Sequence, residues 1–111
     1  MDIYSVINET LPRKPVIVQF SASWCPPCQK LKAAIAELME QNSSFEYIYV
    51  DIDEDDNEIS ARDANVKALP QTHVLCNELH KDLKLTLWSD PIKGFDITEV
   101  GEALLRAIKT Y

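Results

Sequence analysis

The chain has 111 residues, 46% of them hydrophobic, a size at which one compact domain with a real core over residues 1–111 is the expectation. A formal net charge of −7 and the lack of any Lys and Arg cluster argue against a nucleic-acid footprint or an anionic membrane surface as partner. Apolar runs such as Val16-Ile17-Val18 are far too short to span a bilayer, and Met1-Asp2 leads into a mixed polar segment unlike a signal sequence. The first eleven residues carry Asp2 and Glu9 and no Arg, unlike a mitochondrial presequence, so a cytoplasmic location is expected.

Ile3, Val6, Ile7 and Leu11 stand at helical spacing and predict a short helix over residues 2–11, ended by Pro12 and Pro15. Val16 to Ser21 is β-branched and nearly continuous in apolar character, as in a central strand covered on both faces, with Gln19 its polar exception. Beyond Cys25, Leu31, Ala34, Ile35, Leu38 and Met39 form one stripe of an amphipathic helix running to about Gln41. Phe45 to Asp53 reads as a second buried strand, and the acidic cluster Asp51 to Glu58 suits the start of another helix. Thr72 to Cys76 and Leu83 to Trp88 read as two strands. The six residues Asn77 to Asp82 between them cannot hold a crossover helix, so an antiparallel hairpin at the edge of a parallel sheet is expected. Asp96-Ile97-Thr98-Glu99 is spaced like a capping box, and Val100, Leu104, Ala107 and Ile108 share a stripe of the closing helix. With glycine only at 94 and 101 there is no phosphate-cradling loop, and nucleotide binding has no support.

Three cysteines are too few, and too odd in number, for a secreted disulfide framework. A close pair in a reducing compartment points to catalysis or metal binding. A strand ending near Ser21, then Cys25-Pro26-Pro27-Cys28, then a long helix puts Cys25 at a helix N-terminus, where orphan N–H groups and the positive end of the dipole favour a thiolate. Pro26 and Pro27 fall in the first turn, where a missing N–H costs little, although a residue before proline is steered from helical angles, from which Pro26 is expected just outside regular helix. They stiffen the loop and leave the N–H of Cys28 to donate to the Cys25 sulfur. Cys25 is then the nucleophile and Cys28 the resolving thiol of a dithiol cycle. Two rival readings are a pair of packing cysteines and a metal site completed by His73 and Cys76. The first is disfavoured because two prolines at a helix N-terminus make a poor place for inert thiols. The second fails because positions an odd number apart on a strand point to opposite faces.

The segment Val18 to Cys28, which ends in FSASWCPPC, resembles the thioredoxin superfamily, whose usual motif is WCGPC. Pro26 replaces the glycine, and the motif is most similar to the WCPPC of tryparedoxins and nucleoredoxins on a shorter, thioredoxin-like layout. Leu69-Pro70 sits where the family has its cis-proline. The resemblance implies an α/β, three-layer thioredoxin-like fold with a central mixed β-sheet flanked by helices, in the order βαβαββα. It also implies a cis bond before Pro70, and a shallow apolar rim of Trp24, Pro26, Leu69 and Pro70, with Gly94 and Phe95 near it. The implied activity is that of a protein-disulfide reductase, probed against the alternative of a redox-inactive adaptor with the same fold. The intact cysteine pair favours the enzyme. Implied partners are protein disulfides, a peroxiredoxin among the candidates, and an upstream reductase or low-molecular-weight dithiol as electron source; the expected form is a monomer, with no cofactor. Gln19 occupies the position where the family carries a buried acid behind the second cysteine, and Tyr49 stands where its partner lysine usually lies. A neutral amide cannot take a proton from Cys28, which implies slower resolution than in a typical member.

Cys76 reads as a small buried hydrophobe, with a regulatory or dimerising thiol as the alternative, His80 as a solvated loop residue and Trp88 as a packing residue. The acidic run Asp51 to Glu58 lacks the glycine and spaced final glutamate of a calcium loop.

Overall fold

The computed structural model describes residues 2–77, 87–88 and 90–111. Helix α1 (Ile3–Thr10) starts at Asp2, whose carboxylate accepts the N–H of Tyr4 at 3.2 Å. Strand β1 (Val16–Ser21) is buried at all six positions. Helix α2 (Pro26–Gln41), strand β2 (Glu46–Asp51), a 3-10 turn (Asp55–Asn57) and helix α3 (Glu58–Asp63) follow. Strand β3 (Gln71–Leu75), strand β4 (Ile92–Lys93) and helix α4 (Ile97–Ile108) complete the described elements. The side chain of Asp96 caps α4 by accepting the N–H of Glu99 at 3.0 Å, the first half of the expected capping box.

The sheet runs β2-β1-β3-β4, with β1 and β2 parallel and the pairs β1/β3 and β3/β4 antiparallel. Alternation along the central strand splits the core. Val16, Val18 and Phe20 face Ile7 of α1 and Leu11 just after it, together with Val50, Leu75 and Trp88. Ile17 faces Leu31 and Ile35 of α2 and Val100 and Leu104 of α4. Helices thus cover both faces of a mixed sheet, the three-layer arrangement expected. Because β2 runs with β1 and β3 against it, the C-terminal ends of β1 and β2 and the N-terminal end of β3 lie at one end of the sheet. The register also brings Lys93, the last residue of β4, opposite Gln71 at that end.

One expected element differs. The antiparallel partner of β3 is Ile92–Lys93, and the connection runs from Cys76 to Pro91. Of the expected strand Leu83–Trp88, residues 83–86 lie outside the described residues, while Leu87 is helical and Trp88 lies in a turn, both buried. A two-residue strand carries no readable periodicity. Its position is set by the chain around it, with Pro91 before it and Gly94, at φ +74°, turning away after it. Trp88 packs edge-on against Phe20, His73 and Tyr4, as a packing residue should. His80 lies outside the described residues.

Two tyrosines make the fold sensitive to alkali. The Tyr4 hydroxyl donates to Asp63 Oδ2 at 2.7 Å and accepts from Trp88 Nε1 at 3.2 Å. Burial, followed by that bond to Asp63, pushes its pKa up to about 12. Burial likewise pushes Tyr111 up to about 12, its hydroxyl accepting the N–H of Asn77. Both are acids whose folded values lie above the ordinary value near 10, so their contribution to stability is complete below pH 10 and is lost as pH rises through about 12. Urea midpoints measured between pH 9 and 11.5 are expected to fall across that window, and Tyr4→Phe to flatten part of the fall; an unchanged slope in the variant would remove Tyr4 from the account.

Candidate active site

The chain leaves β1 at Ser21, and the N–H of Cys25 donates to the Ala22 carbonyl at 3.2 Å, turning the backbone into α2. Cys25 is the N-cap, in extended conformation at φ −100° and ψ 105°, the region to which a following proline steers it. Pro26 is the first helical residue, inside the helix and not beyond its edge. With neither proline able to donate, the first N–H that reaches back is that of Cys28, 3.3 Å from Cys25 Sγ. A donor aimed at that sulfur, together with the helix dipole, stabilises negative charge on it. The two sulfurs are joined in a disulfide across a Cα separation of 5.2 Å. Cys25 keeps 5% of its surface exposed and Cys28 none, which orders them by access to a partner.

The surroundings of the pair come from the converging strand ends. Ala22 lies against the two cysteines, with Ile52 beyond β2 and Leu69 before β3 packed on them. The Leu69–Pro70 peptide is cis, as the resemblance implied, and the Pro70 carbonyl accepts the N–H of Gly94 at 2.9 Å. Pro70 is buried, whereas Pro26 and Pro27 are exposed on the helix start. Trp24 is 65% exposed, and its Nε1 donates to Asp53 Oδ2 at 2.7 Å; Asp53 is itself held by its N–H to Asp51 Oδ1 at 2.9 Å. Phe95, after Gly94, is also exposed.

Behind the pair, Gln19 is wholly buried and its amide makes three hydrogen bonds. Its Nε2 donates to the Cys28 carbonyl at 3.0 Å and to Ser21 Oγ at 2.6 Å, while its Oε1 accepts from the Tyr47 hydroxyl. Tyr49 sits opposite Gln19 in the register, yet its hydroxyl is engaged elsewhere, accepting from Gln29 Nε2 at 3.0 Å, with the Lys32 ammonium 4.4 Å from its ring centre. Sequence reasoning found Gln19 and missed Tyr47 and Asp53. Strand alternation was the available signal for Tyr47, since residues 47 and 49 share the face of residues 17 and 19 and a diagonal neighbour lies within reach of a long side chain. Nothing in the sequence marked Asp53 among its acidic neighbours.

The remaining candidates separate from the site. His73 is buried with its ring edge-on to Phe20 and Trp88, and its Nε2 lies 2.9 Å from Gln71 Nε2. Cys76 is a buried free thiol just beyond β3. The acidic run forms the end of β2, the 3-10 turn and the start of α3. Among the described residues no group of three or more His, Cys, Asp and Glu is arranged to hold a metal ion.

Comparison with known proteins agrees with this geometry. The chain is similar to thioredoxin Asp f 28 of Aspergillus fumigatus, 38% identical over 56 residues covering 50% of each chain. It is also similar to human thioredoxin, 39% identical over 57 residues covering 51% of this chain and 52% of that one. The match thus spans about half the length of both relatives. Among solved structures it resembles that of reduced Schistosoma mansoni thioredoxin pre-protein, with 26% identity and a TM-score of 0.77 over 96% of this chain and 90% of that one. The family model described as Thioredoxin matches residues 4–85, from the first helix through the cysteine pair and the cis-proline, and the chain belongs to the thioredoxin family.

Proposed function

We propose that the chain is a thiol–disulfide oxidoreductase that reduces protein disulfides, with Cys25 as nucleophile and Cys28 as resolving thiol. The observation that carries this reading is the helix N-cap at Cys25, where the N–H of Cys28 meets the more exposed of the two sulfurs. In the reduced protein the Cys25 thiolate attacks one sulfur of the substrate disulfide; the other sulfur leaves as a thiolate and takes a proton from water. Cys28 then gives its proton to solvent and attacks Cys25 Sγ. The Cys25–substrate bond breaks, the second substrate thiol is released, and the Cys25–Cys28 disulfide remains. Two electrons and two protons from an upstream reductase or a small dithiol restore the pair.

Trp24, Pro26, Leu69 and Pro70 form the rim against which an extended substrate lies, with Trp24 held by Asp53. Gln19 and Pro27 support the pair from behind and from the loop. A monomer in the cytoplasm, taking protein disulfides such as that of an oxidised peroxiredoxin, is the setting in which this chemistry runs as a reduction.

The test is turnover of insulin disulfides with dithiothreitol. Wild type is expected to exceed the dithiothreitol background at least about tenfold, a small part of what positioning a nucleophile can contribute. Cys28→Ser is expected to accumulate a mixed disulfide at Cys25 that is visible by mass. Turnover no faster than background, with no trapped partner in Cys28→Ser, overturns the reading in favour of a redox-inactive adaptor.

A further inference from the structure

The contacts behind the cysteine pair form one chain of hydrogen bonds through three elements. Tyr47 of β2 donates to Gln19 of β1, and Gln19 donates to the first turn of α2 at the carbonyl of Cys28. We propose that Tyr47 is a positioning residue for the resolving thiol: its hydroxyl fixes the Gln19 amide in the orientation that ties Cys28 to the sheet. The inference rests on the assignment of Cys28 as the thiol that resolves the mixed disulfide.

The argument is one of donors and acceptors. A glutamine amide can exchange the places of its oxygen and nitrogen by turning over. Here the Cys28 carbonyl can only accept, so it requires the NH2 side, and the second hydrogen of that NH2 goes to Ser21 Oγ. The oxygen is left on the side of Tyr47, which must donate. Burial, and to a lesser degree the neighbouring Tyr49, hold the Tyr47 phenol well above its ordinary pKa, so it keeps its proton throughout the working range. Gln19 is wholly buried, so a lost partner is not simply replaced from solvent.

The consequence reaches the chemistry through the helix start. Cys28 must deliver its sulfur to Cys25 Sγ once the substrate is attached there, and attack of this kind depends on placement to a fraction of an ångström. The N–H of Cys28 is committed to Cys25 Sγ and its carbonyl is anchored through Gln19. Releasing the anchor loosens the second step, in which the Cys28 sulfur itself must reach Cys25, far more than the first, to which Cys28 contributes only its backbone N–H.

The experiment uses the whole chain, reduced and mixed with 5,5′-dithiobis(2-nitrobenzoate). The first thionitrobenzoate released reports attack by Cys25, and the second reports resolution by Cys28. Tyr47→Phe is expected to leave the first phase within about twofold and slow the second about threefold to tenfold. It should also disfavour the Cys25–Cys28 disulfide against a glutathione buffer by a similar factor, about 15 to 30 mV at about 30 mV per tenfold. Gln19→Met, which keeps length and loses both amide groups, must give the same loss, and the double variant no more than one change alone. Should Tyr47→Phe not fold, Gln19→Met alone carries the test. An unchanged second phase and potential in a folded variant, or a Tyr47→Phe effect that persists in Gln19→Met, overturns the proposal. These readouts need no protein substrate, so failure to turn over insulin would count against the functional reading and leave this one standing on its own result.

Discussion

Replacing Cys25 with serine is expected to reduce disulfide turnover to the dithiothreitol background, a loss of at least about tenfold, or about 1.4 kcal/mol of barrier at 1.36 kcal/mol per tenfold. A serine hydroxyl forms no bond to a substrate sulfur, and Cys28 is buried and not placed to meet a protein disulfide directly. The loss should come without loss of structure. Cys25 is the N-cap of α2, and serine is among the preferred N-caps, with an oxygen able to take over the N–H of Cys28. Melting of Cys25→Ser should therefore match that of the reduced wild type, and insulin reduction should separate the two proteins completely. Turnover above that background would mean that Cys28 can begin the cycle, and the roles of the two cysteines would have to be exchanged.

Phe20→Ala is expected to be the most damaging single change to the fold. Phe20 is wholly buried on the central strand, its ring 5.3 Å from Trp88 and 5.9 Å from His73, both edge-on. Deleting a buried phenylalanine ring costs about 3–5 kcal/mol through lost transfer energy and the cavity left behind. For a chain of this size that lowers Tm by about 15–25 °C. Thermal unfolding followed by far-UV circular dichroism checks it. A drop of only a few degrees would mean that Trp88 and its neighbours collapse into the space, and that this half of the core is not tightly packed.

Most of the fold was legible because its elements are long enough to show a period. The stripe Leu31, Ile35, Leu38 on α2 and the nearly continuous apolar run Val16 to Phe20 on β1 each announce their partner layers, and both are found where expected. The cysteine pair was legible for a different reason, because strand, Cys-Pro-Pro-Cys and helix leave only one end of a helix for the first sulfur. The two-residue β4 was not legible, since its pairing with Gln71 and Thr72 is a matter of what lies beside it and not of its own composition. The same holds for the Tyr47–Gln19 contact. The sequence shows a glutamine in a strand and a tyrosine 28 positions on, and only the parallel register of β1 and β2 brings the hydroxyl to the amide.

The outer edge of β2 bears on how copies of this chain meet. Among the described residues β2 ends the sheet on its side, so the backbone groups on its outer edge have no neighbouring strand. Its centre, Tyr47-Ile48-Tyr49-Val50, is rich in strand-forming residues, the kind of segment that templates stacking when it runs for six or seven uncharged positions. Here it runs for four. Glu46 and Asp51 close it at either end, and in an in-register stack each carboxylate would face its own copy about 4.8 Å away. Like charges at the strand's ends disfavour a second copy aligning along this open edge, the part charged residues play when they flank an apolar strand.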